Sequence, residues 1–536
     1  MTGIDWIVVV LYFALVLAAA LLPGRRARKA GRDSTEYFLA SRHTGWLVVG
    51  ASLFASNIGS EHLVGLAGTG AASGVAVGQF EVLASLILLL LGWVFVPFYL
   101  RSGVFTMPEF LERRYSGGAR WYLAVVSIIA YVLTKISVTI AAGGVVFEAL
   151  MGVNFWTGAL VVVVATGLYT VIGGLRAVLY TDLLQTFVLV GGSAVVTLTG
   201  LRALGGWDAM LAGAGPGFLD MWKPATDPDF PWTGIAFGAP ILGVWYWCTD
   251  QFIVQRTLAA RNLTEARRGT IFAGFLKLLP VFLFVVPGMI AAQLAAQGRL
   301  ELDRADQALP ALVGALLPSG LRGLVVAGLL AALMSSLSGV FNSCSTLITW
   351  DIYRKLHPAA SERRLVWVGQ ISTGVLVVFG LLWIPLMELI SGQLYQYLQS
   401  VQAYIAPPVA AAFLLGILWR RANARGAMAA LVLGFVLGMG RLVAELNKAS
   451  LDGPLRAYAE VNFLHFAAML FVFCVVVLIV GSLTAPPPRP EQVDGITFGG
   501  PPVAPDAEGR AGRGRDLVLS AILVLGVLAM WAYFSE

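Results

Sequence analysis

Charge is what this sequence has least of. Only 12% of its 536 residues are Asp, Glu, Lys or Arg, while 58% are hydrophobic. A soluble globular protein carries roughly 25% charged residues, so an ordinary soluble enzyme is excluded and a polytopic membrane protein remains. Cysteine is also scarce. Cys248, Cys344 and Cys474 are scattered and form no C-x-x-C pair, which argues against a disulfide framework or a cysteine zinc site. No H-E-x-x-H motif and no pair of mid-membrane aspartates is present, so no enzymatic activity is expected. Lysine is outnumbered 6 to 30 by arginine, a bias of GC-rich bacterial genes that points to the cytoplasmic membrane. The net charge of +6 lies mostly in loops, where it reports on membrane orientation; no nucleic-acid partner is expected.

Long apolar runs are what the sequence has in abundance. A bilayer-spanning helix needs about 20 mainly apolar residues, because its backbone polar groups must be satisfied within the segment. Fourteen stretches qualify, at about 4–22, 45–70, 74–100, 121–150, 155–173, 178–203, 232–255, 270–298, 320–350, 365–387, 393–418, 426–444, 461–483 and 516–534. The fold predicted is an all-α integral membrane protein of about 14 transmembrane helices. The first run has no basic residues before it and is followed by Arg25, Arg26, Arg28 and Lys29, the order of an anchor with its N-terminus outside. The loops at 23–44, 101–120, 174–177, 256–269, 351–364, 419–425 and 484–515 hold 26 of the 36 Lys+Arg residues. The opposite set holds only Lys223, Arg299, Arg304, Lys448 and Arg456, so the first set is predicted to be cytoplasmic and both termini to lie outside.

Two apolar runs carry interruptions that a helix has little reason to contain. One is Ala55-Ser56-Asn57-Ile58-Gly59-Ser60-Glu61-His62 and the other is Trp245-Tyr246-Trp247-Cys248-Thr249-Asp250-Gln251. Each opens a group of five spans, and an odd number makes the second group enter the membrane from the opposite face, so the two are inverted repeats. Discontinuous helices at matching positions of inverted repeats mark the binding site of a secondary transporter. The organisation predicted is a peripheral helix and cytoplasmic loop over 1–44, a first repeat over 45–203 and an extracellular loop over 204–231. A second repeat covers 232–418, followed by peripheral helices over 419–483, a cytoplasmic linker over 484–515 and a C-terminal helix over 516–536.

At these interruptions the sequence resembles the sodium/solute symporter family, and within it the sodium/glucose cotransporter branch. The resemblance is carried by ASLFASNIGSEHLVGLAGTGAASG from Ala51, GVFTMPEFLERRY from Gly103, YTVIGGLRAVLYTDLLQT from Tyr169, WYWCTDQFIVQR from Trp245, SSLSGVFNSCSTLITWDIY from Ser335 and APPVAAAFLLGILWRR from Ala406. It implies two inverted five-helix repeats of the LeuT-like kind with peripheral helices, and alternating access driven by a sodium gradient.

Carried over residue by residue, the resemblance implies a sodium site made of the carbonyls of Ala55, Ile58 and Ala332 with the hydroxyls of Ser335 and Ser336. From the residues alone, Ser335-Ser336 reads equally as a pair of small side chains that lets helices pack closely. Asp182 and Ser338 match positions linked in the family to a second sodium; taken alone, Asp182 also reads as a solvated helix end. For the substrate, the resemblance implies Asn57, His62, Glu81, Tyr246, Trp247, Lys277 and Gln399, with Phe80 as an outer gate. This set suits a neutral polyol, offering hydrogen-bond donors and acceptors plus aromatic faces for its C–H surface. Glu81 and Lys277 read either as a structural ion pair or as a substrate-facing one. Lys135 and Asp250 match family positions and read as structural or gating residues. Four positions depart from the sugar branch: Glu61, Val82, Gly339 and Gln402 stand where glycine, tryptophan, serine and threonine are usual. The function implied is sodium-coupled import of a glucose- or galactose-like sugar, with myo-inositol, another polyol or an aminosugar, or a sensor that binds without translocating, as alternatives.

Overall fold

A computed structural model of the chain describes residues 1–28, 44–59, 61–387, 394–498 and 512–535. The central part of the expected 23–44 loop and much of the 484–515 linker lie outside the described residues. Every element among the described residues is helical. Among the described residues, ten helical stretches are long and apolar enough to cross a membrane.

The expected fourteen separate spans are not reproduced one for one. The second and third join into a run from Glu61 to Ser102, turned at Gly74, whose φ of +79° a residue with a side chain rarely adopts. The fifth and sixth merge into one helix, Phe155–Leu204, so the loop expected at 174–177 is not a helix end; that stretch contains no proline to remove a backbone donor. The seventh is divided into Trp232–Phe237, Ala239–Gly243, a π-helical turn Val244–Thr249 and Gln251–Leu258.

Both interruptions are real breaks with identifiable causes. At the first, helix Trp46–Asn57 closes with Ile58 N–H on Phe54 O at 2.8 Å. Gly59 N–H then turns to Asn57 O at 2.9 Å, and His62 N–H to Gly59 O at 3.0 Å. The Ala55 and Ile58 carbonyls thereby lose the donors four residues on that an α-helix would supply. At the second, Asp250 is extended (φ −77°, ψ 128°), and its carboxylate caps Gln251–Leu258 by accepting from Phe252 N–H at 3.0 Å. The Tyr131 hydroxyl donates to the same oxygen.

Helix Leu321–Thr346, flanked by Phe155–Leu204 and Trp46–Asn57, forms the middle of the bundle. Its apolar stretch is 89% buried, against 22% for the C-terminal helix Arg513–Tyr533 and 33% for Glu362–Pro385. The outward rows of Trp367, Ile371, Val378 and Leu382, and of Leu517, Val518, Leu525 and Leu528, are exposed, the surface a lipid-facing helix presents. The C-terminal helix is fastened at both ends. Asp516 pairs with Arg267 at 2.7 Å and Arg268 at 3.0 Å, and Trp531 Nε1–H donates to Gln79 Oε1 at 2.7 Å.

Candidate functional site

The two breaks converge on one buried cavity. Asn57, the last residue before the first break, and His62, in the π-helical turn Glu61–Leu66 after it, form one wall. Tyr246 and Trp247 come from the π-helical turn before Asp250. Glu81 stands in the first turn of Gln79–Leu90, and Lys277 follows the last turn of Leu263–Leu276. Gln399 projects from Leu394–Leu418, and Phe80 is a further lining residue. Turns with π-type hydrogen bonding rotate side chains out of α register and are common at functional sites.

The cavity side chains are joined into a network. Lys277 Nζ donates to Glu81 Oε2 and, at 2.5 Å, to Asn57 Oδ1. His62 Nε2 lies 3.1 Å from Glu81 Oε1, and the Tyr395 hydroxyl donates to that oxygen at 3.4 Å. Asn57 Nδ2–H donates to the Tyr246 hydroxyl at 3.1 Å, while Lys277 Nζ stands 5.5 Å from the Trp247 ring centre. Phe80 packs edge-on against Tyr395 at 5.9 Å and Phe230 at 6.1 Å. All seven residues expected around a substrate therefore line one space, and Phe80 borders it.

A second polar cluster lies behind the first break. Ser336 Oγ donates to Ser56 O at 3.2 Å, bringing Leu321–Thr346 against the Ala55–Ile58 turn. Ser335 Oγ donates to Asp182 Oδ1, and Ser338 Oγ donates to Ser335 O at 2.9 Å. Asp182 is not a solvated helix end. It is fully buried, accepting from Ser52 Oγ at 2.7 Å and Ser56 Oγ at 3.0 Å, with Arg256 at 4.0 Å. Ser338 points its hydroxyl at its own helix instead of at Asp182. The oxygen-rich donor set fits a hard monovalent cation and offers nothing suited to a soft metal. No group of three or more His, Cys, Asp or Glu that could hold a metal occurs among the described residues.

Several members of these networks were not singled out in the sequence. Tyr395 is one helical turn before Gln399, and Ser52 one turn before Ser56, so the i, i+4 relation could have flagged them. Lys135 and Glu61 are each visible as charges in apolar runs, but nothing in the sequence pairs them; in the structure Lys135 Nζ donates to Glu61 Oε1, and both line the cavity. Asp250 caps a half-helix, which favours the structural of its two readings.

A helical bundle in which two broken helices meet at a buried polar cavity, with an oxygen-rich cluster behind one break, defines a secondary transporter of the LeuT-like fold. The chain belongs to the sodium:solute symporter family, whose model matches residues 37–434. It is 40% identical over 528 residues to sodium/glucose cotransporter 1 of Oryctolagus cuniculus, covering 90% of this chain and 79% of that one. It is likewise 40% identical over 543 residues to the sodium/myo-inositol cotransporter of Canis lupus familiaris, covering 92% and 75%. Among solved structures it resembles the substrate-bound outward-open state of a Na+-coupled sialic acid symporter, with a TM-score of 0.75 at 21% identity over 91% of this chain and 99% of that one. A nucleobase-cation-symport-1 family transporter in a closed conformation matches with a TM-score of 0.51 at 12% identity, over 87% and 99%. The chain is a multi-pass membrane protein and a sodium-coupled solute symporter, not an enzyme.

Proposed function

We propose that this symporter imports a neutral hexose of the glucose or galactose type through the cavity lined by Asn57, His62, Glu81, Tyr246, Trp247, Lys277 and Gln399. The observation that carries the reading is the alternation of acceptors and donors around one space, flanked by two aromatic faces. Glu81, Asn57 and Gln399 accept, Lys277 and His62 donate, and Trp247 and Tyr246 offer flat surfaces to C–H groups. The paired Glu81 and Lys277 leave the cavity with no net charge from those two residues, which suits an uncharged solute. Myo-inositol is the second reading, supported by equal 40% identity to carriers named for glucose and for inositol.

Sodium binds first, between the freed carbonyls of Ala55 and Ile58 and the Ala332, Ser335 and Ser336 oxygens, and holds the first broken helix against Leu321–Thr346. Asp182 and Ser338 are assigned to a second sodium. The solute then draws the two breaks together beneath Phe80, and loss of sodium to the cytoplasm opens the inner side. Coupling requires only that ion and solute favour the same closed arrangement. We place the protein in the cytoplasmic membrane with both termini outside.

Uptake of labelled hexoses and of myo-inositol into proteoliposomes under an inward sodium gradient tests this. The expected result is sodium-dependent accumulation of a hexose; Lys277→Ala and Gln399→Ala reduce it at least tenfold, about 1.4 kcal/mol or more. Preferential accumulation of inositol selects the second reading. Binding with no accumulation identifies a sensor, and accumulation indifferent to sodium overturns the proposal.

A further inference from the structure

We propose that Glu61 is an anionic ligand of the transported sodium, shared between the ion and the solute cavity. The inference deepens the sodium-coupled reading above and rests on it. Glu61 is 1% exposed and lies in the first turn after the break. One of its oxygens is held by Lys135. The other, Oε2, is buried and has no hydrogen-bond partner among the described residues. A buried carboxylate oxygen without a donor is costly, and a cation satisfies it.

Geometry says which cation position it serves. A Cβ added at Gly59 would stand 2.4 Å from Ser336 Oγ and 2.5 Å from Glu61 Oε2. Those two oxygens are therefore less than 5 Å apart, close enough for one ion to contact both at about 2.4 Å, the distance a hard cation of this size keeps from oxygen. Gly59 keeps that space clear of a side chain. The Ala55 and Ile58 carbonyls, which lose their helical donors, belong to the same turn. Asp182, the other carboxylate nearby, already accepts hydroxyl donors on both oxygens, from Ser335 on one and from Ser52 and Ser56 on the other. Glu61 is the carboxylate with an open oxygen.

The same residue reaches the solute. Lys135, in the π-helical turn Val132–Ile136, lies 5.0 Å from the centre of the Tyr246 ring. Tyr246 accepts from Asn57, and Asn57 accepts from Lys277. An ion that draws on Glu61 thus acts on Lys135, and through it on the side chains that meet the sugar.

Two readouts on the purified protein test this: sodium titration of intrinsic tryptophan fluorescence, to which Trp247 in the cavity wall contributes, and the sodium concentration giving half-maximal uptake in proteoliposomes. Glu61→Gln is expected to raise both about tenfold, the scale of removing one unit charge a few ångströms from an ion in a partly screened site. Glu61→Gln combined with Lys135→Met removes the orphaned lysine and should keep the rise, which a merely structural ion pair would not. Half-saturation within twofold of the parent in either variant overturns the role of Glu61 while leaving sodium coupling intact. A parent that shows no sodium response in either readout overturns the coupled reading itself, and this inference with it.

Discussion

Asn57 ends a helix, and both ends of its amide are occupied: Oδ1 accepts from Lys277 and Nδ2–H donates to Tyr246. It thus ties the first broken helix to the second through Tyr246, 189 residues away, and to the end of Leu263–Leu276 through Lys277, 220 residues away. The Glu81–Lys277 pair that it braces is fully buried. Breaking such a pair from one side costs about 3–5 kcal/mol, because the partner's charge is stranded, whereas replacing both sides with neutral groups is often close to harmless. Glu81→Gln should therefore lower thermal stability in detergent clearly, and adding Lys277→Met should restore much of it without restoring transport. A double variant as unstable as the single one would mean the pair is not an isolated electrostatic unit. At this scale much was readable in the sequence: Glu81, Lys277, His62 and Asn57 stand out as polar residues in apolar runs, and the resemblance groups them. The Glu61–Lys135 pairing was not readable, because two charges 74 positions apart meet only after the bundle has formed.

Among the elements, the broken helices carry the argument. Polar residues inside a hydrophobic run announce a break, since a continuous membrane helix has no use for them, and both breaks occur in the stretches where the sequence places them. The π-helical turns that hold Glu61, Lys135, Tyr246 and Trp247 left no sequence signal, because one inserted residue per turn does not alter an already apolar pattern. At 174–177 the outcome is the opposite: a loop was expected between two apolar runs, yet the helix from Phe155 runs on to Leu204. The Asp250 cap yields a separable test. Asparagine caps a helix about as well as aspartate, while alanine loses about 0.5–2 kcal/mol. Asp250→Ala should therefore unfold at lower temperature than the parent, with Asp250→Asn close to it. Equal losses in both would show that charge, and not capping, is what the position needs.

For the whole molecule, the segment before helix Ala308–Leu316 packs on the second half of the first broken helix. Asp306 accepts from Leu394 N–H at 3.2 Å through Oδ2, and its Oδ1 lies 2.4 Å from where a Gly68 Cβ would be. The carboxyl thus rests on the second half of the first broken helix and on the start of Leu394–Leu418. Burial raises its pKa from 3.8 to about 7, opposed by the Leu394 hydrogen bond and by Arg304. A folded pKa above the unfolded one means the docked state holds its proton longer, so docking is strongest below about pH 4 and weakens progressively as pH rises to 7. Hydrogen exchange across 305–316 should quicken between about pH 4 and 7 beyond the intrinsic base-catalysed increase, and Asp306→Asn should abolish that excess. An excess that survives in the variant would place its origin elsewhere.

The cavity also bears on how the membrane potential acts. Glu61 with Lys135 and Glu81 with Lys277 are two acid–base couples whose charges cancel. When the unloaded protein resets, these four side chains carry no net charge through the electric field, which is worth about 2.3 kcal/mol per elementary charge per 100 mV. At this cavity the voltage therefore acts on the ion that is carried and not on these four side chains.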